Sequence, residues 1–271
     1  MKVWLKALLL SANLLATQQL AAAAEITLDG KLTQGSLIRG QAPAGAKVLF
    51  NGQPVKVSAT GQFVFGIGRD ADLQHQLTII AADGSQQQLP LTFTSREYDV
   101  QRITGVAQKY VTPPAEVTER IQNDNRKVRA VRTTLSDKTA IFAEPVLPAT
   151  GRISGVYGSQ RVFNGEPRNP HYGLDIAAPV GAPVLAPWSG EVLLAEDLYY
   201  SGLTLIIDHG MGVTSTLMHL DAISVKVGQQ LRQGEKIAEV GATGRVTGPH
   251  LDWRINWLQE RLDPQLLLSA E

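Results

Sequence analysis

The chain has 271 residues, with 25 lysines and arginines against 25 aspartates and glutamates, and no cysteine. Zero net charge argues against a nucleic-acid ligand, which favours a strongly basic face. Without thiols there are no disulfides and no thiolate metal sites, so any metal has to be held by His, Asp or Glu.

The first residues read as an export signal spanning 1–24. Lys2 and Lys6 supply a basic start, an apolar run covers 7–16, and Ala22-Ala23-Ala24 offers a small-x-small cleavage site before Glu25. The run falls short of the roughly 20 apolar residues that a membrane span needs. A lipid-anchored bacterial precursor requires a cysteine at its cleavage point. The expected product is therefore soluble, without a membrane anchor, in the periplasm or cell envelope.

Residues 25–97 predict a small immunoglobulin-like β domain. Short β-rich runs occur at 26–28, 47–50, 55–57, 62–65, 77–80 and 89–93. Asn51-Gly52 marks a hairpin between the second and third. No cluster of acids, bases or nucleophiles appears, and His75 lies in a polar, loop-like stretch as a solvated bystander.

Residues 98–150 read as a linker. Thr112-Pro113-Pro114 predicts a helix start, with Thr112 as N-cap and Pro113 at the first helical position. Val117, Ile121, Val128, Val131 and Leu135 form an apolar stripe. Arg120, Arg126, Lys127, Arg129 and Arg132 make the remainder basic. Charge runs of this kind usually solvate a face, although a basic surface near an anionic wall polymer is the sharper reading.

Residues 151–271 predict an antiparallel all-β domain. Strands are expected at 183–187, 190–194, 203–207, 213–219, 236–240 and 250–257, with one helical turn after Leu262. His209, in Asp208-His209-Gly210-Met211-Gly212, fits a tight turn and reads as structural. No Gly-x-Ser-x-Gly elbow supports a serine hydrolase.

Two segments carry chemistry. Asn169-Pro170-His171-Tyr172-Gly173-Leu174-Asp175 is followed by Gly248-Pro249-His250-Leu251-Asp252-Trp253, with His250 75 residues after Asp175. In a strand, residues two apart share a face, so His250 and Asp252 stand side by side with Leu251 and Trp253 opposite. Nitrogen and carboxylate donors suit a hard or borderline metal.

From Gly151 to Trp257 the sequence resembles the lysostaphin/LytM-type zinc metallopeptidases, which are cell-wall endopeptidases. The resemblance rests on Pro170-His171-Tyr172-Gly173-Leu174-Asp175, Gly181-Ala182-Pro183-Val184, Asp208-His209-Gly210, Met218-His219-Leu220 and Gly248-Pro249-His250-Leu251, in that order. It implies a duplicated-hybrid-motif β fold, one zinc ion and a peptidoglycan peptide as substrate. It further implies His171 and Asp175 as ligands, His219 and His250 as the catalytic pair, and position 252 as the third ligand.

That third position is aspartate here where the family has histidine. Either a carboxylate oxygen replaces the imidazole, or the site is lost and the domain binds wall or regulates a murein amidase partner. Zinc held by two carboxylates is formally neutral, which weakens it as a Lewis acid. The family's tyrosine two residues before the equivalent of His219 is Leu217 here. Gly181-Ala182-Pro183-Val184 with Gly190-Glu191-Val192 also resembles lipoyl and biotinyl carrier domains, but the required lysine turn is missing.

Overall fold

A computed structural model describes residues 26–105 and 108–268. The export signal expected over 1–24 lies outside the described residues. None of the helices among the described residues is long and apolar enough to cross a membrane.

The N-terminal part has seven strands: β1 (Thr27–Asp29), β2 (Leu37–Gln41), β3 (Lys47–Phe50), β4 (Gln53–Val55), β5 (Gln62–Gly66), β6 (Gln74–Ile80) and β7 (Gln86–Thr92). They form two antiparallel sheets, in the orders β1-β2-β5 and β4-β3-β6-β7. Ile38, Phe63 and Phe65 from one sheet and Val48, Leu77 and Ile79 from the other share a core. The Asn51-Gly52 turn closes the β3–β4 hairpin as expected, with φ positive at both residues.

Strand β2 was not legible because Arg39 breaks its apolar pattern. The Arg39 guanidinium donates to the carbonyls of Ile141, at 2.8 Å, and Ala143, at 3.1 Å. His75 belongs to β6 rather than to a loop. Its nitrogens lie 2.8 Å from Asn51 Nδ2 and 2.7 Å from the Asp72 carbonyl, so it is a paired structural residue.

The linker is more structured than its sequence suggested. Strand β8 (Val100–Ile103) pairs parallel with a later strand. A short helix, α1 (Gln108–Val111), follows. Pro113 does not open the long helix. Pro114 is extended at ψ 154°, a single 3₁₀ turn covers Ala115–Val117, and α2 runs over Thr118–Val131. A residue before proline avoids helical geometry, so the Pro-Pro pair delays the start by several residues. Val128 and Val131 pack on Leu194, Leu198 and Ile206, whereas Leu135 lies beyond the helix and is exposed.

The C-terminal part contains β9 (Arg152–Gly155), β10 (Gln160–Phe163), β11 (Glu166–Pro167), β12 (Leu174–Ala177) and β13 (Pro183–Leu185). Next come β14 (Gly190–Leu198), β15 (Gly202–Gly210), β16 (Val213–Ile223), β17 (Gln230–Leu231), β18 (Lys236–Val240), β19 (His250–Trp257) and β20 (Glu260–Leu262). Ten of them form one sheet system, with the central order β17-β14-β15-β16-β19-β12-β9. Every pairing in it is antiparallel, and Trp188, Leu205, Ile207, Leu217 and Trp253 lie in its core. Strands β10 and β8 stand apart from this system with β11. The tail makes one 3₁₀ turn at Pro264–Leu267, capped by the Asp263 carboxylate.

The two parts are pressed together. Leu37 and Val64 face the C-terminal core, while their neighbours Ile38, Phe63 and Phe65 face the N-terminal one. The run Phe63-Val64-Phe65 is fully buried because both of its faces are covered. Trp257 packs against both cores.

Candidate metal and catalytic site

Strands β12 and β19 pair antiparallel, with Asp175 directly opposite Asp252 and Ala177 opposite His250. Facing residues of a pair lie on the same side of the sheet, so the register places two buried carboxylates next to each other. Two glycines make room for them. A Cβ at Gly173 would fall 2.3 Å from Asp252 Oδ1, and one at Gly155 would fall 2.4 Å from Asp175 Oδ2.

His171, just before β12, completes the cluster. Its Nε2 is 2.9 Å from Asp175 Oδ1 and 3.4 Å from Asp252 Oδ2. Ligand atoms of the three residues lie within 4.8 Å of one another. Like charges directly opposite in a sheet are destabilising unless something positive compensates.

Two arginines supply part of that compensation. Arg161 donates to Asp175 Oδ2 at 2.6 Å. Arg254 grips Asp252 with Nη2 at 2.6 Å from Oδ2 and Nε at 3.0 Å from Oδ1. Burial alone would raise the Asp252 pKa, but Arg254 and His171 hold it well below the usual carboxylate range. Asp175 is lowered too, with His171 and Arg161 outweighing burial and the repulsion of Asp252. For His171, burial is outweighed by the two carboxylates, so its pKa is raised.

Asp175 Oδ1 is buried and lacks a hydrogen-bond partner. It faces an imidazole nitrogen and, across the strand pair, a second carboxylate. A cation placed among these groups, in place of a proton on His171, would meet lone pairs from all three residues. A zinc ion fits this donor set of one imidazole and two carboxylates.

The remaining histidines separate by counting nitrogens. His171 Nδ1 lies 3.2 Å from the Val156 carbonyl, His219 Nδ1 2.9 Å from the Thr243 carbonyl and His250 Nδ1 2.8 Å from the Gly248 carbonyl. An Nδ1–H donated to a carbonyl leaves Nε2 with its lone pair free for the site. His209 spends both nitrogens, with Nδ1 3.0 Å from the Ser189 carbonyl and Nε2 2.8 Å from Ser215 Oγ. It is the structural residue its surroundings predicted, although it sits in β15 rather than in the turn.

His219 and His250 stand with ring centroids 4.9 Å apart. With Asp175 they line a small cavity of about 70 Å³, rimmed by Ile103, Phe163 and Thr247. Burial drives the His219 pKa down to about 4, and the His250 charge adds to the effect. His219 also has φ +64° inside a strand, the kind of costly backbone that collects at functional sites. The structure therefore gathers all five residues singled out in the sequence.

Sequence reasoning missed the arginines. Arg254 was within reach, because it continues the two-residue spacing His250, Asp252, Arg254 on one strand face. Arg161 carried no local signal, since β10 meets β12 only through the fold.

The chain matches known proteins over this region. The model of Peptidase family M23 matches residues 169–264. Over 86 residues the chain is 45% identical to the peptidoglycan DD-endopeptidase ShyB of Vibrio cholerae, covering 32% of this chain and 20% of that protein. It is 38% identical over 105 residues to the DD-endopeptidase ShyA of the same organism, covering 38% of this chain and 24% of that protein. The chain thus spans about a quarter or less of the length of these relatives. A crystal structure from Pseudomonas aeruginosa assigned to peptidase M23 superposes with a TM-score of 0.70 at 28% identity. That match covers 89% of this chain and 96% of the other.

Proposed function

From a chain whose residues 169–264 form a peptidase family M23 domain, we propose an exported, zinc-dependent endopeptidase that cuts peptide bonds in bacterial peptidoglycan. The carrying observation is the juxtaposition of the His171, Asp175 and Asp252 cluster with two histidines whose Nε2 atoms are free. The proposal keeps the division into an N-terminal β unit, a linker and a catalytic unit, and places the mature protein in the cell envelope. Relatives named as peptidoglycan endopeptidases support the substrate class.

His171 Nε2, Asp175 Oδ1 and Asp252 Oδ2 would hold the metal. Bound there, zinc would polarise a peptide carbonyl and acidify water. His219 is neutral above about pH 4 and presents a lone pair toward the small cavity. Of His219 and His250, one accepts the proton of the attacking water. The other assists the departing nitrogen or the oxyanion. Ile103 and Phe163 give the cavity an apolar edge. Arg161 and Arg254 return the positive charge that a second carboxylate ligand removes, which offsets the weakness expected of a two-carboxylate site.

One observation favours a second reading. The two-toothed hold of Arg254 on Asp252 satisfies that carboxylate without a metal, as a domain that only binds wall or a wall enzyme would tolerate. Metal analysis together with incubation on crosslinked peptidoglycan decides between them. Near-stoichiometric zinc and new amine termini are expected. Protein that takes up no zinc from supplemented buffer and leaves the wall intact would falsify the hydrolase.

A further inference from the structure

Beside the proposed catalytic centre lies a cavity of about 420 Å³, bounded by Pro113 and Asn125 on the linker side. Arg161, Arg168, Arg245, Arg254 and Arg261 line it, together with Tyr172 and Tyr200. An adjoining space of about 200 Å³ shares Arg245, Arg254 and Arg261 and adds Arg132, just past the end of α2. Three of these guanidiniums are committed, Arg161 to Asp175, Arg168 to Glu166 and Arg254 to Asp252.

Others are not. Among the described residues, no carboxylate lies within ion-pair distance of Arg132, Arg245 or Arg261. Arg245 lies over the rings of Tyr200, at 4.7 Å, and Phe163, at 5.0 Å. Arg261 lies 4.3 Å over Tyr172. Arg132 reaches only the Thr216 hydroxyl, at 3.4 Å, and its Nε is buried without a partner. Burial, and then the Arg254 and Arg261 charges, pull the Arg132 pKa down to about 9. Arg245 is drawn to about 10 by burial and then by Arg254. A guanidinium keeps its proton at neutral pH, so this concentration of positive charge is relieved only by an anion.

We propose that this arginine pocket is a subsite for a free carboxylate of the peptide substrate. The assignment rests on the peptidase reading above. Planar guanidinium forks match a carboxylate in two-point geometry. Arg161 and Arg245 also line the small cavity of His219 and His250, so the two spaces adjoin. A peptide crossing both would set its carboxylate on the arginines and a peptide bond at the histidines. The pocket therefore selects for negatively charged stem peptides, and the linker, through Arg132 and Asn125, forms part of the specificity wall.

Calorimetric titration of the full chain with a synthetic stem peptide ending in a free carboxylate, and with its C-terminal amide, tests this. The acid is expected to bind roughly 10- to 100-fold more tightly than the amide, the range for one or two charge-assisted hydrogen bonds. Arg245→Gln should erase that preference while Arg245→Lys keeps part of it, and Arg132→Gln provides a second, independent loss. Equal binding of acid and amide by the unaltered protein overturns the proposal. So does a preference that survives both glutamine variants. Inorganic phosphate serves as a competitor: it should displace the peptide acid more readily than the amide, and equal displacement of both, which places the anion away from the peptide carboxylate, sinks the proposal. Carboxylate-selective binding without hydrolysis would leave the subsite standing and remove the peptidase reading, whereas hydrolysis without selectivity would do the reverse.

Discussion

The hairpin of β15 and β16 carries a buried histidine near each end, and the two could hardly differ more in what they are free to do. His209 and His219 both lie in the interior, and burial pushes both pKa values down to about 4. His209 has a partner on each ring nitrogen and no left-handed φ. His219 has one partner, a vacant Nε2 facing a cavity, and a left-handed φ. Depth and a shifted pKa alone therefore do not separate an imidazole free to act on a ligand from a packing one. The count of spent nitrogens does.

The strongest way to break this contrast is by substitution. His219→Ala and His250→Ala should each lower the hydrolysis rate of crosslinked peptidoglycan by about 10²- to 10⁴-fold, with an unchanged melting profile within a few degrees. His209→Ala should instead cost about 2–4 kcal/mol of stability through two lost hydrogen bonds and a cavity, while activity per folded molecule persists. If His209→Ala abolishes turnover in protein that remains folded, the contrast is wrong.

Next in size is the carboxylate pair. Asp252→Ala leaves the part-buried Arg254 guanidinium without its carboxylate and should cost about 3 kcal/mol, with zinc uptake lost as well. Double substitution with Arg254→Met should recover much of the stability but none of the metal, as read by denaturant melts and metal analysis.

Acid should then expose the cost of the buried imidazoles. The folded pKa of His209 is depressed, so the unfolded chain binds a proton first as pH falls below about 6.5. Stability accordingly declines between about pH 6.5 and 4, by roughly 3 kcal/mol for a shift of this size at a fully buried group. Denaturant melts across that window should show the slope, and His209→Gln should remove about half of it, because His219 carries a similarly depressed pKa. The smallest effect belongs to the helix surface. Lys127, paired with the half-exposed Glu196, should change stability by less than about 0.5 kcal/mol when replaced by alanine.

Much of the candidate site was readable because its signals are local. The two-residue spacing of His250 and Asp252 became one face of β19, and His171 with Asp175 met them across a single strand pair. What escaped was carried by distant pairing. Strand β8 joins β10 in parallel across some 60 residues, so nothing near Val100 announces it. The basic helix was read as a solvated face, and Arg120, which pairs with Asp197, fits that. Arg132 instead turns inward, and no periodicity distinguishes it from its neighbours. The delayed start of α2 followed from the two prolines, whose mutual restriction outweighed the capping signal at Thr112.

Strand β5 has a further consequence. With Val64 facing one core and Phe63 and Phe65 the other, and with Trp257 touching both, the chain lacks a dry seam along which it could be divided. A fragment begun at Gly151 would carry the bare imprint of Leu37 and Val64 as a sticky wall and should aggregate. Intact protein should melt in one concerted step. Scissors placed in the linker would thus destroy the C-terminal fold rather than liberate it.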